Sequence, residues 1–498
     1  MDCGSTPIEA FAEHLPLTPS ETEGGKSLPP LVGEGWGEVS GKRVAVIGMA
    51  RTGIAAAEAL VGLGATVVVY DSKPASELGD AVDAVKAAGA QACPGVGEPD
   101  LAGFDILVPS PGVPRSSPVL ASAVAGGIEV MSEIELAWRI SKAPIIAITG
   151  TNGKTTTTVL TGKMLMADAR DTYIAGNVAG GEFRMPLVKA AAAASEDSVI
   201  VAEISTFQLE WVKAFRPRIA ALLNVTSDHL DRHASWQEYA DLKARIFANQ
   251  TSDDYAVVNL ENEFTATLAP RLSGHVLQFA RKSEPDEGAF VRGDWIAVRI
   301  DGVETAICRT KDVPLRGTHN LENVLAACCM SMAFGARPDS IARAIREFRP
   351  VEHRLEPVAV IDGVEYVNNS MCTNVDAAVR SIEAISEPQI VIMGGKDKGS
   401  DFTAVGQAIA QRVKRLVLIG ADAALIRDSA RQCGFDRITM ANSMADAVNE
   451  ARDAAEPGDV VVLTPGCASF DMFSSFEERG KVFKDAVRAL ANRSGRDE

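Results

Sequence analysis

Four things are missing from this 498-residue chain, and each absence removes a class of function. No apolar run is long enough to cross a bilayer, because the longest are short and broken by Gly or charge. Positive charge is not in excess: 49 Lys and Arg stand against 66 Asp and Glu, for a net charge of −17. Nucleic acid and anionic membranes are therefore not expected partners. Small anionic substrates stay open, since local Lys, Arg and helix ends can hold them. No C-x-x-C pair occurs among the eight cysteines, which are scattered as Cys3, Cys93, Cys308, Cys328, Cys329, Cys372, Cys433 and Cys467. That spacing fits neither a disulfide framework nor a zinc site, so reduced thiols in the cytoplasm are expected. The N-terminus also lacks a basic stretch followed by an apolar core, so no secretory signal is read there. Residues 1–40, rich in Pro, Gly and Glu without periodicity, read as a disordered extension or as a start assigned too early.

What is present is an ordinary globular composition, 46% hydrophobic and 23% charged, long enough for about three domains of roughly 150 residues. Three α/β units follow one another, at 41–142, 143–350 and 351–498. The first opens with a strand at Val44–Ile47, a turn G-M-A-R-T-G, an Ala-rich helix and a second strand ending at Tyr70-Asp71. That is a Rossmann-like start with an incomplete glycine fingerprint, because Ala50 replaces the middle Gly. It leaves dinucleotide binding, a nucleotide-sugar and a purely structural role all open. In the second unit, residues 288–308 alternate polar and apolar and read as a β-hairpin insertion.

The second unit also opens with I-T-G-T-N-G-K-T-T, Ile148 to Thr156, after the apolar run Ile145–Ile148. Strand, glycine loop and helix in that order hold nucleotide phosphates: backbone N–H groups face the anion, Lys154 reaches the terminal phosphates and Thr155 can ligate Mg²⁺. The loop is two residues shorter than the usual Walker pattern, since only Thr151 and Asn152 separate Gly150 from Gly153. Glu203 ends the strand V-I-V-A-E, where a carboxylate is either paired or a Mg²⁺ ligand. N-V-T-S-D-H-L-D-R-H follows the next strand and favours His229, although a polar loop with a helix cap would look the same. In G-T-H-N-L-E-N, Asn320 and Asn323 lie one turn apart at a helix start, as caps or as amides facing adenine or phosphate.

Taken in order, G-T-N-G-K-T-T, A-G-N, E-I-S-T-F-Q-L-E, N-V-T-S-D-H-L-D-R, H-N-L-E-N, E-H-R-L-E, N-N-S-M-C-T-N, G-G-K-D-K-G and T-P-G-C-A-S-F-D-M-F resemble the Mur ligases, the ATP-dependent amino-acid ligases of peptidoglycan synthesis. E-I-S-T-F-Q-L-E and C-A-S-F-D-x-F point to the branch that adds D-glutamate. The resemblance implies an α/β fold of three domains: a Rossmann-like one for the UDP moiety, a central P-loop ATPase, and a Rossmann-like C-terminal one that closes over the amino acid. It implies ATP and Mg²⁺ as cofactors, UDP-N-acetylmuramoyl-L-alanine and D-glutamate as substrates, and a monomer. The implied mechanism phosphorylates the substrate carboxylate to an acyl phosphate, which the incoming amine attacks.

By matching position, Gly150, Thr151, Asn152, Gly153, Lys154, Thr155, Thr156, Asn320 and Arg354 would serve ATP. Thr155, Glu203, His229 and Lys243 would hold the metals. Lys243 matches the lysine that this family carbamylates with CO₂, and Lys154, His229 and Lys243 form the catalytic set. Ala50, Arg51, Thr52, Ser72, Lys73 and Asn177 would face the UDP substrate. Thr373, Lys398, Ser469 and the backbone at Phe476 would hold glutamate. One segment departs from the family pattern. Where N-D-S-K-A-T-N is usual, this chain has Asn369 for Asp and Met371 for Lys. Both charges vanish together, as in a compensated swap, and Lys396 or Lys398 could replace the missing lysine. Two other readings stand beside the ligase: the same fold with a different acceptor or L-glutamate, as in folate polyglutamylation, and a nucleotide-binding homologue without turnover.

Overall fold

The computed structural model describes residues 39–178, 183–226, 235–397 and 399–494. Most of the expected N-terminal extension, together with His229 and Lys398, lies outside them. Three sheets succeed one another along the chain. The first consists of β1 (Arg43–Ile47), β2 (Thr66–Asp71), β3 (Gln91–Pro94), β4 (Ile106–Pro109) and β5 (Glu129–Val130), all parallel in the order β3-β2-β1-β4-β5. Strand order reverses at β1, which is where an open parallel sheet leaves a crevice beyond its carboxyl edge. The turn Gly48–Gly53 sits in that crevice. A Cβ on Gly53 would lie 1.9 Å from the Gly48 carbonyl oxygen, so only glycine lets the helix Arg51–Gly62 approach the turn this closely.

The second sheet has nine strands: β6 (Ile145–Thr149), β7 (Asp171–Gly176), β8 (Ser198–Glu203), β9 (Ile219–Leu222), β10 (Tyr255–Asn259), β11 (His275–Ala280), β12 (Gly288–Arg292), β13 (Trp295–Ile300) and β14 (Val303–Arg309). Their order is β14-β13-β12-β11-β10-β9-β6-β8-β7. The alternating segment near residue 290 forms β12, β13 and β14, with β13 antiparallel to both of the others. They continue the sheet, because β12 pairs parallel with β11. β6 lies deep inside and every residue of it is buried. Its alternate side chains face opposite layers. Ile145 and Ala147 join one apolar cluster, while Ile146 and Ile148 pack with Leu160, Met164 and Leu325 from the helices Lys154–Ala167 and Thr318–Ala333. Burial on both faces explains why the strand reads as an uninterrupted apolar run.

The third sheet is formed by β15 (Glu356–Ile361), β16 (Val364–Asn368), β17 (Gln389–Gly394), β18 (Val413–Ile419), β19 (Ile438–Met440) and β20 (Val460–Leu463), in the order β15-β16-β20-β17-β18-β19. Only β15 runs antiparallel to its neighbour. The loops after β16 and β20 leave from the same edge.

The first two units share one apolar cluster, running from Val44 and Val46 through Leu136 and Leu187 to Ala147 and Ile200. The helix Glu133–Ile140 joins them and carries two buried carboxylates. Glu135 accepts from the backbone N–H groups of Lys213, Ala214 and Phe215 and pairs with Arg139 at 2.9 Å. Glu133 accepts from Val188 N at 2.6 Å and from Gln208 Nε2 at 3.4 Å. Burial outweighs these bonds and pushes the Glu133 carboxyl up to about 7. The third unit keeps clusters of its own. Its connection to the second runs through His353 and Leu355, both in the left-handed region with φ of 66° and 42°. His353 is held by its N–H to Glu356 Oε2, by its ring nitrogen against Asn368 Nδ2, and by its carbonyl, which accepts from Met371 N. Leu355 N donates to Asn369 Oδ1. No helix among the described residues is long and apolar enough to cross a membrane.

Candidate active site

The carboxyl end of β6 opens into a cleft of about 420 Å³ between the second and third units. Gly150–Gly153 loop into the helix Lys154–Ala167, with Gly153 at φ 86°. A Cβ on Gly153 would stand 2.2 Å from Asn323 Oδ1, so the loop backbone and the helix Thr318–Ala333 meet only because the side chain is absent. Asn224 holds the loop from beneath: its Oδ1 accepts from Asn152 N at 2.9 Å, and its Nδ2 donates to Asn152 O at 3.1 Å.

Two lysines converge on one loop carbonyl. Lys154 Nζ and Lys243 Nζ each donate to Gly150 O at 2.9 Å. Lys243, on the helix Trp236–Ala244, is 2% exposed, with its ammonium over the Tyr239 ring. Glu203, at the end of β8, accepts from Thr155 Oγ1 at 2.7 Å and from Asn177 Nδ2 at 3.5 Å. Burial raises its pKa, against the opposing pull of Lys154, Thr155, Arg354 and Asn177. Arg354 reaches in from the connection to the third unit, and its Nη2 donates to Thr155 Oγ1 at 2.9 Å. Its Nε is buried without a hydrogen-bond partner. A buried guanidinium N–H left over in a cleft that also holds Lys154 and Arg380 suits a phosphate oxygen. The carboxylate of Glu203 and the hydroxyl of Thr155 are hard oxygen donors of the kind Mg²⁺ takes.

The opposite wall comes from the third unit. Asn369, Met371, Cys372, Thr373, Asn374, Arg380, Ser381 and Phe476 line it. Asp376, on the helix Val375–Ala384, reaches across the cleft. Its Oδ2 accepts from Asn152 Nδ2 and from Thr226 Oγ1, at 3.3 Å for the latter, and pairs with Arg380 Nε at 3.1 Å. Asn369 uses both ends of its amide, accepting from Leu355 N and donating to Ser381 Oγ, in a network without charge. Met371 therefore faces no buried carboxylate at position 369. Lys396 does not take over from the missing lysine: it pairs with Asp422 at 3.1 Å and is not among the residues lining the cleft. Lys154, Arg354 and Arg380 supply the cleft's positive charge.

All the residues expected to serve ATP, apart from Gly150, line this cleft, and Gly150 presents its carbonyl to the two lysines. Asn320 donates to Arg316 O and accepts from Asn323 Nδ2, and neither amide caps the helix N-terminus. Asn177 lies in the cleft beside Glu203, as do Thr373 and Phe476. Ser469 is buried outside its lining, in the loop after β20. Sequence reasoning missed His319, Asp376 and Arg380. Burial, with Arg380 and Arg354 nearby, pushes the His319 imidazole down to about 4, so it stands neutral in the cleft. The only signal for the other two was an Asp and an Arg four residues apart on a helix, which reads as an ordinary surface pair.

In the first unit, Ala50 and Arg51 line a second cavity of about 730 Å³ together with Arg184, Met185, Pro186 and Lys189 of the second unit. Thr52 follows on the helix, and Ser72 and Lys73 are exposed beyond β2. Asp71 is occupied by backbone: it accepts from Met49 N at 2.8 Å and from Lys73 N at 3.0 Å.

Family models match three stretches of the chain: the Mur ligase MurD-like N-terminal domain at 42–132, the Mur ligase middle domain at 148–331, and the Mur ligase glutamate ligase domain at 353–467. The chain belongs to the Mur ligase family. Each of these three matches falls on one of the three sheets. The UDP-N-acetylmuramoylalanine–D-glutamate ligase of Pelotomaculum thermopropionicum is 44% identical over 90% of this chain and 98% of its own. That of Koribacter versatilis is 43% identical over 91% and 99%. Among solved structures, the Mur ligase fold recurs in UDP-N-acetylmuramate–alanine ligase MurC from Thermotoga maritima, with a TM-score of 0.59, 15% identity, and coverage of 90% of this chain and 100% of that one. It recurs in MurF ligase from Thermotoga maritima in complex with ADP, with a TM-score of 0.56, 15% identity, and coverage of 86% and 96%.

Proposed function

We propose that this Mur ligase is an ATP-dependent enzyme that joins D-glutamate to UDP-N-acetylmuramoyl-L-alanine in a cytoplasmic step of peptidoglycan synthesis. The observation that carries the reading is identity of 38–44% with ligases of that name over nearly their whole length. It is supported by the set of Lys154, Thr155, Glu203, Lys243 and Arg354 around one loop. Residues 41–142 would bind the UDP substrate, 143–350 ATP, and 351–498 the amino acid. One chain furnishes both walls of the cleft, which suits a monomer.

In this mechanism the alanyl carboxylate oxygen attacks the γ-phosphorus of ATP. A P–O bond forms, the bond to the ADP oxygen breaks, and an acyl phosphate results. The D-glutamate nitrogen then adds to the acyl carbon, the tetrahedral adduct loses inorganic phosphate, and the nitrogen gives up its proton. Lys154 and Arg354 neutralise the transferring phosphoryl oxygens, where fixed cations contribute most in a dry site. Mg²⁺, when bound, supplies further charge neutralisation, with Glu203 and Thr155 as donors and His229 expected to join them. Lys243 as an ammonium cannot ligate a cation. A carbamate on its Nζ would turn this buried cation into a carboxylate-like ligand facing the loop. Asn177 would orient the muramoyl part. Thr373, Ser469, Lys398 and the backbone at Phe476 would hold glutamate.

The test is phosphate release by purified protein with UDP-N-acetylmuramoyl-L-alanine, D-glutamate, ATP and Mg²⁺. Release no higher than without amino acid overturns the proposal, and faster turnover with L-glutamate overturns the stereochemistry. For the carbamate, Lys243→Ala is expected to lose activity and to regain part of it with short-chain carboxylic acids. An unimpaired variant would overturn that role.

A further inference from the structure

Arg51 and Arg184 reach the same cavity from different units. Arg51 opens the helix after the first glycine turn, and Arg184 lies on the segment before the helix Leu187–Ala193. Arg51 has no ion-pair or hydrogen-bond partner among the described residues. Arg184 pairs through Nη2 with Glu477 Oε1 at 2.8 Å, and Glu477 belongs to the first turn of the third unit's helix Phe476–Ser494. Partial burial and the neighbouring Arg184 lower the Arg51 pKa, while Glu477 raises it. One carboxylate thus stands near two guanidinium groups. The cavity's other charges are Lys189, tied to Glu58 at 3.8 Å, and Asp80.

We propose that Arg184 and Arg51 together clamp the diphosphate of the nucleotide-sugar substrate, and that the diphosphate displaces Glu477 from Arg184. This rests on the reading of the first unit as the UDP-binding one. Two planar guanidinium forks from opposite sides match the oxygens of a diphosphate, which carries the charge that a single shared carboxylate lacks. The consequence reaches the third unit. Glu477 adjoins Phe476, which lines the active-site cleft, so occupation of the clamp acts on the element expected to receive glutamate. Arg184 is therefore a binding residue that the second unit lends to the first unit's site.

The experiment is calorimetric titration of the full chain with UDP and with uridine, at two salt concentrations. The wild type is expected to bind UDP more tightly than uridine. Arg184→Ala should weaken UDP binding about tenfold and flatten its salt dependence, leaving uridine unchanged, while Arg184→Lys should recover part of the loss. Glu477→Gln should tighten UDP binding a few-fold and raise the KM for D-glutamate. Unchanged melting temperatures, expected because Arg184 is exposed and Glu477 partly so, exclude misfolding as the cause. If the wild type does not bind UDP, the reading of the first unit fails and takes the clamp with it. If the wild type binds UDP and Arg184→Ala binds it equally well, or loses uridine in parallel, the clamp alone is overturned. An unchanged UDP affinity in Glu477→Gln overturns the displacement.

Discussion

The chain contains the same local plan twice, with opposite results. In the first unit β1 leads through a glycine turn into a helix, and a carboxylate, Asp71, reaches the turn from the end of neighbouring β2. In the second unit β6 leads through the phosphate loop into a helix, and Glu203 reaches the loop from the end of neighbouring β8. Asp71 spends its oxygens on two backbone N–H groups, which nothing replaces while the fold is intact. Glu203 is held by a hydroxyl and an amide, side-chain donors that can turn toward a ligand, and burial leaves it at a raised pKa. Position at a strand end therefore does not decide whether a carboxylate is structural. The kind of donor facing it does.

The sharpest way to break this comparison is to remove the charges of the second loop. Lys154→Ala and Glu203→Gln are each expected to lower kcat about 10³-fold in a phosphate-release assay, with the melting temperature little changed. Loss of folding instead of turnover would put Glu203 in the same class as Asp71. Glu133 is a third carboxylate, buried at the start of the helix that joins the two units. With a folded pKa of about 7 against an ordinary 4.5, the folded state holds its proton longer than the unfolded chain does. Its contribution is full below about pH 4.5 and disappears as pH rises through 7, a change of about 3 kcal/mol. Urea midpoints measured from pH 5 to 8 should fall in the wild type and fall less in Glu133→Gln; equal slopes would show that the proton is not on Glu133. Gly153→Ala, which drives a methyl group into Asn323, should cost about 10²-fold in kcat through displaced phosphate contacts, read by steady-state kinetics. Smallest is Asp71→Ala. It should lower stability by about 1–3 kcal/mol in thermal unfolding, from two stranded N–H groups, and leave ATP turnover with saturating substrate nearly intact.

The sequence made the phosphate loop, Glu203 and the strand of Asn369 legible because each lies in a contiguous motif at a strand end. The same was true of the three α/β units, since buried parallel strands announce themselves as apolar runs. Asp376, Arg380, His319 and Arg184 were not legible. Asn152 and its partner Asp376 are 224 residues apart, and nothing in either local pattern marks the meeting. The exchange of Lys396 for the missing lysine also failed, for a related reason: a lysine's reach is set by its nearest carboxylate, here Asp422, and that is a tertiary fact.

The connection between the second and third units is wound the unfavourable way at two side-chain-bearing residues. His353 and Leu355 each hold a left-handed conformation, at about 1–2 kcal/mol apiece. The bonds to Glu356, Asn368, Asn369 and Met371 keep it so. The joint thus behaves like a cocked spring: relaxing either φ breaks hydrogen bonds within the third unit but returns torsional energy. Losing one of these bonds therefore costs less than its own strength, because part of the strain is released with it.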